Sequence, residues 1–394
     1  MENRRTIAQD AAKGLMIIGV VFFHCSLMTY AVPMEALSQF NILSAMFPFI
    51  MSSFFFYTGY NYVDKGRSYK ESILRRAKQL LIPMAIAFII SAITISSIEL
   101  IYSYQDVPSA LHAIGNTILY SLMSEPLAIM IGFPQSGGTV LGLVVGLGLL
   151  WFIYCLFTCS IFFYLLVKRT NKNPFTLFSV VIILLIIAFV IGEYVGTYLP
   201  YTIQCYPVVL AIMLTAAYLR QSHFLNKRIR TKKDIIFHTI NALIAEGIII
   251  ATCFVMYYRF NATTTGALPG GLFDTNLKGF DAFIAYAFGI LGTYFIHTVC
   301  RLIKRIPILG TSLAWVGNHS AFFYLFHPIF ITLIMSIIFK KEVILGAGQA
   351  YVYFAFTFAC LVLCCFIIDL IIKRKHIATP IKEEIDNNKD PEGD

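Results

Sequence analysis

Residues 175–193 read FTLFSVVIILLIIAFVIGE, an apolar run whose one ionisable side chain, Glu193, stands at its end. A helix needs about 20 mostly apolar residues to cross the hydrocarbon core of a bilayer. The whole chain has the same character, because 58% of its 394 residues are hydrophobic and 13% are charged. A soluble domain carries about 25% charged residues. The run therefore predicts a transmembrane helix in an integral membrane protein.

Similar apolar stretches recur along the chain and predict an all-α, polytopic fold with about ten transmembrane helices. The fourth and ninth stretches are long, which predicts a tilt or a break in each. The stretch that begins at Pro200 and contains Pro207 has the weakest signal. The predicted spans cover residues 14–31, 41–63, 79–103, 139–167, 175–193, 200–219, 234–258, 280–300, 311–338 and 346–372.

Positive charge in the segments between the spans predicts their orientation. If the N-terminus is cytoplasmic, 26 of the 30 Lys and Arg residues fall on the inside and 4 on the outside. Cytoplasmic loops carry such an excess, so both termini are predicted to be cytoplasmic. The net charge of +9 is then a topology signal, and we expect no nucleic-acid partner. Residues 1–378 form one predicted membrane domain, and the polar segment 379–394 is predicted to be a disordered cytoplasmic tail.

Ionisable residues inside the predicted spans are the first candidates for chemistry, because each needs a partner, a water-filled cavity or a function. His24 lies ten residues past Gly14, about 15 Å into the span and near the centre of the membrane. A neutral imidazole at that depth suits a general base. A hydrogen bond to a backbone carbonyl of a neighbouring helix is the alternative reading. Glu246 and His327 are similarly deep.

Charged residues also cluster on the predicted cytoplasmic side. Asp10 and Lys13 are spaced to pair on one helix face. The segment 65–78 carries six basic residues and leads into Pro83. Arginine and lysine suit phosphate oxygens, which predicts a docking place for a nucleotide-like or coenzyme A donor. Anchoring to anionic lipid head groups explains the same cluster.

The ninth span contains the densest group of polar residues within an apolar stretch. Residues 315–320 read WVGNHS, and Tyr324, His327 and Pro328 follow within two turns. Pro328 cannot donate to the carbonyl of Tyr324, so a kink is expected there, with a polar carbonyl exposed beside His327. Asn318 and Ser320 could equally bond across helices as packing contacts. In FFFYTGY, residues 54–60, Gly59 permits close helix approach.

The nine cysteines all lie in apolar stretches and form no Cys-x-x-Cys pair. None stands beside a cluster of histidines or carboxylates with ligand spacing, so we expect small buried side chains and no metal. Palmitoylation of Cys364 or Cys365 is the alternative.

Five ordered landmarks together resemble acyltransferase family 3, a family of membrane O-acyltransferases that includes fucose O-acetylase-like proteins. Each landmark is weak by itself, and their order, spacing and predicted membrane side make the set specific. One position departs from the pattern: Gln79 stands where many relatives have an arginine. The landmarks are DAAKGLMIIGVVFFH (10–24), FFFYTGY (54–60), LRRAKQLLIP (74–83), LWFIYCLF (150–157) and GNHSAFFYLFH (317–327).

The resemblance implies transfer of an acyl group, usually acetyl, from cytoplasmic acyl-CoA to a hydroxyl of a sugar or lipid-linked glycan. It also implies a multi-pass protein of a bacterial plasma membrane, in contact with membrane lipids. Within that reaction we assign the candidate residues to three roles. The catalytic candidates are His24, Tyr324 and His327; the donor-binding candidates are Asp10, Lys13, Arg75, Arg76 and Lys78; the substrate-binding candidates are Trp151, Glu246, Asn318 and Ser320.

A translocator or flippase of a sugar, amino acid or lipid-linked precursor is the rival interpretation. Deep residues such as Glu246 and His24 would serve transport as well as catalysis. Binding of the acyl donor distinguishes the enzyme from the translocator, because an enzyme binds coenzyme A thioesters and a carrier need not. A purely structural membrane protein is the third possibility, and it leaves the deep histidines unexplained.

Overall fold

The computed structural model describes residues 6–27, 48–102, 108, 151–194, 200–225, 231–260, 279–337 and 347–387. These residues form α-helices and one 3₁₀ helix, with no strand among them, which confirms the all-α prediction. In chain order the helices are α1 (Ile7–Leu27), α2 (Ile50–Tyr60), α3 (Tyr69–Tyr102), α4 (Trp151–Thr170), α5 (Pro174–Tyr194), the 3₁₀ helix (Pro200–Cys205), α6 (Tyr206–Gln221), α7 (Lys232–Phe260), α8 (Asp281–Ile303), α9 (Pro307–Asn318), α10 (Ser320–Ile337) and α11 (Ala347–Asn387).

Six helical stretches in the described residues are long and apolar enough to cross a membrane. They overlap six of the ten predicted spans, and a shorter apolar helix at Ser320–Ile331 falls within the ninth. The count of ten and the cytoplasmic position of both termini stay predictions. The six stretches are Phe152–Thr170, Pro174–Tyr194, Ile203–Gln221, Lys232–Val255, Asp281–Ile303 and Tyr351–Ile371.

Helices α1 and α3 begin well before the apolar spans that predict them. Each starts with a capping box, in which the side chains of the first and fourth residues each accept a hydrogen bond from the backbone N–H of the other. In α1, Thr6 Oγ1 accepts from the N–H of Gln9, and Gln9 Oε1 accepts from the N–H of Thr6, both at 3.3 Å. Ser68 and Glu71 form the same pair before α3, at 3.3 and 3.0 Å. The polar turns that carry Asp10 and the part of the basic cluster from Lys70 to Lys78 are therefore helical.

The ninth span is two helices rather than one. Helix α9 ends at Asn318 and α10 begins at Ser320, so the break lies at His319. Helix α10 continues through Pro328, where the sequence predicts a kink. The carbonyl that Pro328 leaves without its helical donor, on Tyr324, accepts a hydrogen bond from His327 Nδ1 at 2.7 Å. That replacement bond explains how the helix tolerates the proline.

Two glycines let α1 and α9 cross backbone to backbone. A methyl group on Gly14 would overlap the carbonyl oxygen of Leu313, and one on Gly317 would overlap the carbonyl oxygen of Asp10. Small residues at a helix crossing allow this approach inside a membrane. Gly59 does the same for α2, against the backbone of Met213 on α6, which confirms its predicted role. The crossing fixes the position of α1 along its own axis relative to the α9–α10 break.

Helix α11 continues to Asn387, beyond the predicted span 346–372. The disordered cytoplasmic tail at 379–394 stays a prediction. Residues 388–394, the predicted outer loop 104–138 apart from Pro108, and residues 261–278 of the second outer loop lie outside the described part of the chain.

Candidate active site

A cavity of about 760 Å³ lies between α1, α2, α3 and α4, with α6, α9 and α10 completing its wall. Residues 61–65 and Arg67, from the loop between α2 and α3, stand at its rim. This rim is at the end of the bundle that the charge distribution predicts to be cytoplasmic. Sites for small molecules and cofactors measure about 300–1,000 Å³, so the cavity has the size of a ligand site.

The cavity is strongly basic. Seven Lys and Arg side chains line it, whereas Asp64 is the one carboxylate among its described lining residues. Asp64 is partly neutralised, because Lys168 Nζ lies 3.2 Å from its Oδ2. The N–H of Gly66 donates to Asp64 at 3.0 Å, and this bond together with Lys168 lowers the pKa of the carboxyl. The basic residues are Lys13, Lys65, Arg67, Arg75, Arg76, Lys168 and Arg220.

Lys13 reaches the cavity as one half of a buried ion pair. Its Nζ lies 3.5 Å from Asp10 Oδ1, as the i, i+3 spacing predicts, and both side chains are largely buried. Asp10 itself does not line the cavity. A buried charge is costly without an opposite charge beside it, and Asp10 supplies that partner for Lys13 at the cavity wall.

Arg76 is held against the cavity wall by α4. Its Nε donates to Ser160 Oγ at 3.3 Å, and that hydroxyl donates to the carbonyl of Leu156 at 2.6 Å. Arg75 and Gln79 line the cavity beside it. The bond to Ser160 therefore positions the Arg76 guanidinium, a group with five N–H donors, at the cavity wall.

A pair of histidines lies deeper in the bundle, where α1 and α10 meet. His24 Nδ1 is 3.2 Å from His327 Nε2, and the ring centroids are 4.9 Å apart. An imidazole on a neighbouring helix is thus one partner of His24. Within its own helix, His24 also hydrogen bonds to the backbone of Val20.

The carbonyls around His327 determine which nitrogens carry protons. His327 Nδ1 faces the carbonyl oxygens of Phe323 and Tyr324 at 3.1 and 2.7 Å, and a carbonyl can only accept. Nδ1 of a neutral His327 therefore holds the proton, and its Nε2 accepts from Nδ1–H of His24. The unprotonated nitrogen of His24 is then Nε2, the atom that can take up a proton.

The cavity, the basic wall and the histidine pair all fall inside one family match. A family model described as an acyltransferase domain matches residues 7–369. The chain belongs to acyltransferase family 3. No curated protein and no solved structure matches the chain.

In this family 3 acyltransferase, the inner end of the cavity lies next to the histidine pair. Tyr324 lines the cavity and its ring centroid is 5.9 Å from that of His327. Phe152, at the start of α4, closes the same end, with its ring centroid 5.1 Å from that of Tyr324. Asn318 and Ser320, both predicted to bind substrate, line the cavity at the α9–α10 break.

Besides Asp10 and the two histidines, Lys78 and Glu246 are predicted site residues that do not line the cavity of the acyltransferase. Lys78 is exposed and does not line it. Glu246, on α7, is 7% exposed and its carboxylate oxygens have no hydrogen-bond partner in the described part of the chain, but it does not line the cavity either. Trp151 is the first residue of α4, and its side chain lies outside the described residues.

Several residues of the acyltransferase cavity were not singled out from the sequence. The sequence pattern used Lys168 and Arg220 only to predict the orientation of the spans. It did not mark the rim tyrosines as site residues. Arg220 donates to the carbonyl of Tyr62, which ties the α2–α3 loop to α6. The rim tyrosines are Tyr62, Tyr69 and Tyr164.

Proposed function

We propose that this acyltransferase moves an acyl group from acyl-CoA, bound in the basic cavity, to a hydroxyl of a carbohydrate or related acceptor. The observation that carries the proposal is the basic cavity whose inner end adjoins the His24–His327 pair. Seven cationic side chains in one cavity suit a donor with several phosphate groups. The translocator of a sugar, amino acid or lipid-linked precursor stays the alternative.

The chemistry of the cavity wall supports coenzyme A as the donor. Its phosphates would be held by the Lys and Arg side chains of α3 and the α2–α3 loop, with Arg76 suited to a bidentate contact. Tyr62, Tyr69 and Tyr164 offer aromatic faces at the rim, on which an adenine ring can stack. The apolar inner end, lined by Ile17 and Phe152, suits the uncharged arm that carries the thioester.

His24 supplies the proton transfer in this proposal. Its Nε2 takes the proton of the acceptor hydroxyl as the oxygen forms a bond to the thioester carbonyl carbon. The carbon–sulfur bond then breaks, and the imidazolium returns its proton to the departing thiolate. The products are an ester and free coenzyme A, and His24 is neutral again.

His327 acts on His24 rather than on the substrate. Its Nδ1–H is fixed by two backbone carbonyls, so its Nε2 holds the His24 tautomer in which Nε2 is basic. The same logic orients the histidine of a catalytic triad, although there the orienting group is a carboxylate. The acceptor class follows the family resemblance, with a lipid-linked glycan or a sugar as its expected members.

The proposal is tested by incubating the purified, detergent-solubilised protein with radiolabelled acetyl-CoA and a panel of sugar acceptors. We expect release of free coenzyme A together with label on one class of acceptor. Uptake of a sugar into proteoliposomes without any release of coenzyme A would support the translocator instead and refute acyl transfer.

Arg76 gives a sharper test of the donor site. Arg76→Gln should raise KM for acyl-CoA by about 10–100-fold with little change in kcat, because a hydrogen bond to a charged group is worth about 1.5–3 kcal/mol. The control is Lys78→Gln, which removes an exposed charge from the same helix outside the cavity. Equal KM values for the two variants would contradict the donor site and favour the lipid-anchoring reading of the cluster.

A further inference from the structure

The inner end of the cavity is closed by three aromatic side chains, Phe54, Phe152 and Tyr324, which we call the aromatic plug. All three line the cavity. The ring centroid of Phe152 is 6.0 Å from that of Phe54 and 5.1 Å from that of Tyr324. Phe152 is therefore the central member, in contact with both of the others.

The rings of the aromatic plug are tightly packed and held by hydrogen bonds. The Tyr324 side chain hydrogen bonds to the backbone of Phe152, and the Tyr324 carbonyl accepts from His327. Behind Phe152 lies the fully buried ring of Phe55, with centroids 4.8 Å apart. Packed interiors transmit strain rather than absorb added volume, so a larger group at this point must displace these rings.

The plug also lines the cavity close to the histidine pair, because the ring centroid of Tyr324 is 5.9 Å from that of His327. Ile17 lines the cavity and stands seven residues, about 10 Å of helix, before His24 on α1. On α10, Tyr324 contacts the cavity and precedes His327 by one turn. An acyl group presented from the cavity to His24 must therefore sit against the Phe152 and Tyr324 rings.

We propose that Phe152 restricts the acyl donor to short chains, with acetyl as the natural class. This inference rests on the proposed acyl transfer and adds its chain-length limit. An acetyl group ends one carbon beyond the thioester carbonyl, whereas each further methylene must enter the space that Phe152 occupies. A hydrophobic pocket separates ligands that differ by one methylene by about 10–200-fold.

The test compares kcat/KM for acetyl-, butanoyl- and hexanoyl-CoA in the wild type, Phe152→Leu and Phe152→Ala. The wild type should prefer acetyl over hexanoyl by at least about 100-fold. Each Phe152 variant should improve hexanoyl relative to acetyl by about 10-fold or more, with alanine showing the larger change. The matched control is Phe288→Leu, which shortens an equally buried phenylalanine outside the cavity and should leave the ratio unchanged.

If a Phe152 variant folds but turns over slowly, the affinities of non-hydrolysable acyl thioether analogues of coenzyme A can be compared instead. They should rank the acetyl, butanoyl and hexanoyl chains in the same order. An unchanged acetyl-to-hexanoyl ratio in the folded Phe152 variants, or a wild type that uses both donors equally, would overturn the chain-length limit alone. Failure of the wild type to use any thioester would overturn the proposed function as well, so the two failures are distinguishable.

Discussion

His24→Ala is expected to lower acyl transfer by about 10²–10⁴-fold, the usual contribution of a positioned general base. The loss should appear in kcat, because His24 does not line the cavity in which the donor is proposed to bind. Coenzyme A affinity, measured by isothermal titration or by competition with a labelled donor, should stay within about twofold of the wild type because no phosphate contact is removed.

His238→Gln is the matched control for this loss. His238 is also a partly buried histidine, and its Nδ1 lies 2.8 Å from the hydroxyl of Tyr294, away from the cavity. It should retain wild-type transfer. A His24→Ala protein that folds, binds donor and keeps full activity would end the assignment of His24 as the base.

Gly14→Ala is expected to destabilise the fold by about 3 kcal/mol or more, the upper end of the usual cost of overpacking. The added methyl group would overlap the backbone carbonyl of Leu313, and a backbone cannot rotate away as a side chain can. Helices α1 and α9 would have to separate, and this would move Lys13 and His24 relative to the cavity. The loss should be visible as a lower unfolding temperature in detergent and a lower folded yield.

Gly247→Ala serves as the control for the glycine crossing. Gly247 is also in a membrane helix, α7, but a methyl group there has nothing within 4 Å. Alanine is a better helix former than glycine by about 1 kcal/mol, so this change should be neutral or stabilising. Equal unfolding temperatures for the two variants would show that α1 and α9 do not meet as closely as described.

Local sequence signals predicted many of the helices. Apolar length located the helices, because the membrane imposes one length on every span. The starts of α1 and α3 were placed too late, since a scan for apolar residues stops at the first polar turn. The capping boxes at Thr6–Gln9 and Ser68–Glu71 stand in the sequence and would have moved both starts.

The break in the ninth span shows what a local signal cannot decide. Helix α10 continues through Pro328, and the kink that the proline predicts stays a prediction. The carbonyl of Tyr324, which the proline leaves without its helical donor, accepts from His327 Nδ1. The break at His319 instead lies next to the Gly317 crossing with α1, a contact between residues about 300 positions apart.

Polar and charged residues in or beside apolar stretches could be singled out from the sequence, and their role in a site stays a prediction. Lys13, Arg75, Arg76, Asn318, Ser320 and Tyr324 all line the cavity. The pairing of His24 with His327 needed the tertiary structure, because neither residue reveals its partner. Glu246 illustrates the opposite case: depth in the membrane marked it as a candidate, but α7 keeps it out of the cavity.

In the proposed reaction, one cavity holds the donor and presents its thioester to the His24–His327 pair. The decisive experiment is a structure of the protein bound to a non-hydrolysable thioether analogue of acetyl-CoA. We expect phosphate density against Arg75 and Arg76, and the sulfur at the Phe152–Tyr324 end of the cavity. An analogue bound elsewhere, or one whose sulfur points away from that end, would contradict it.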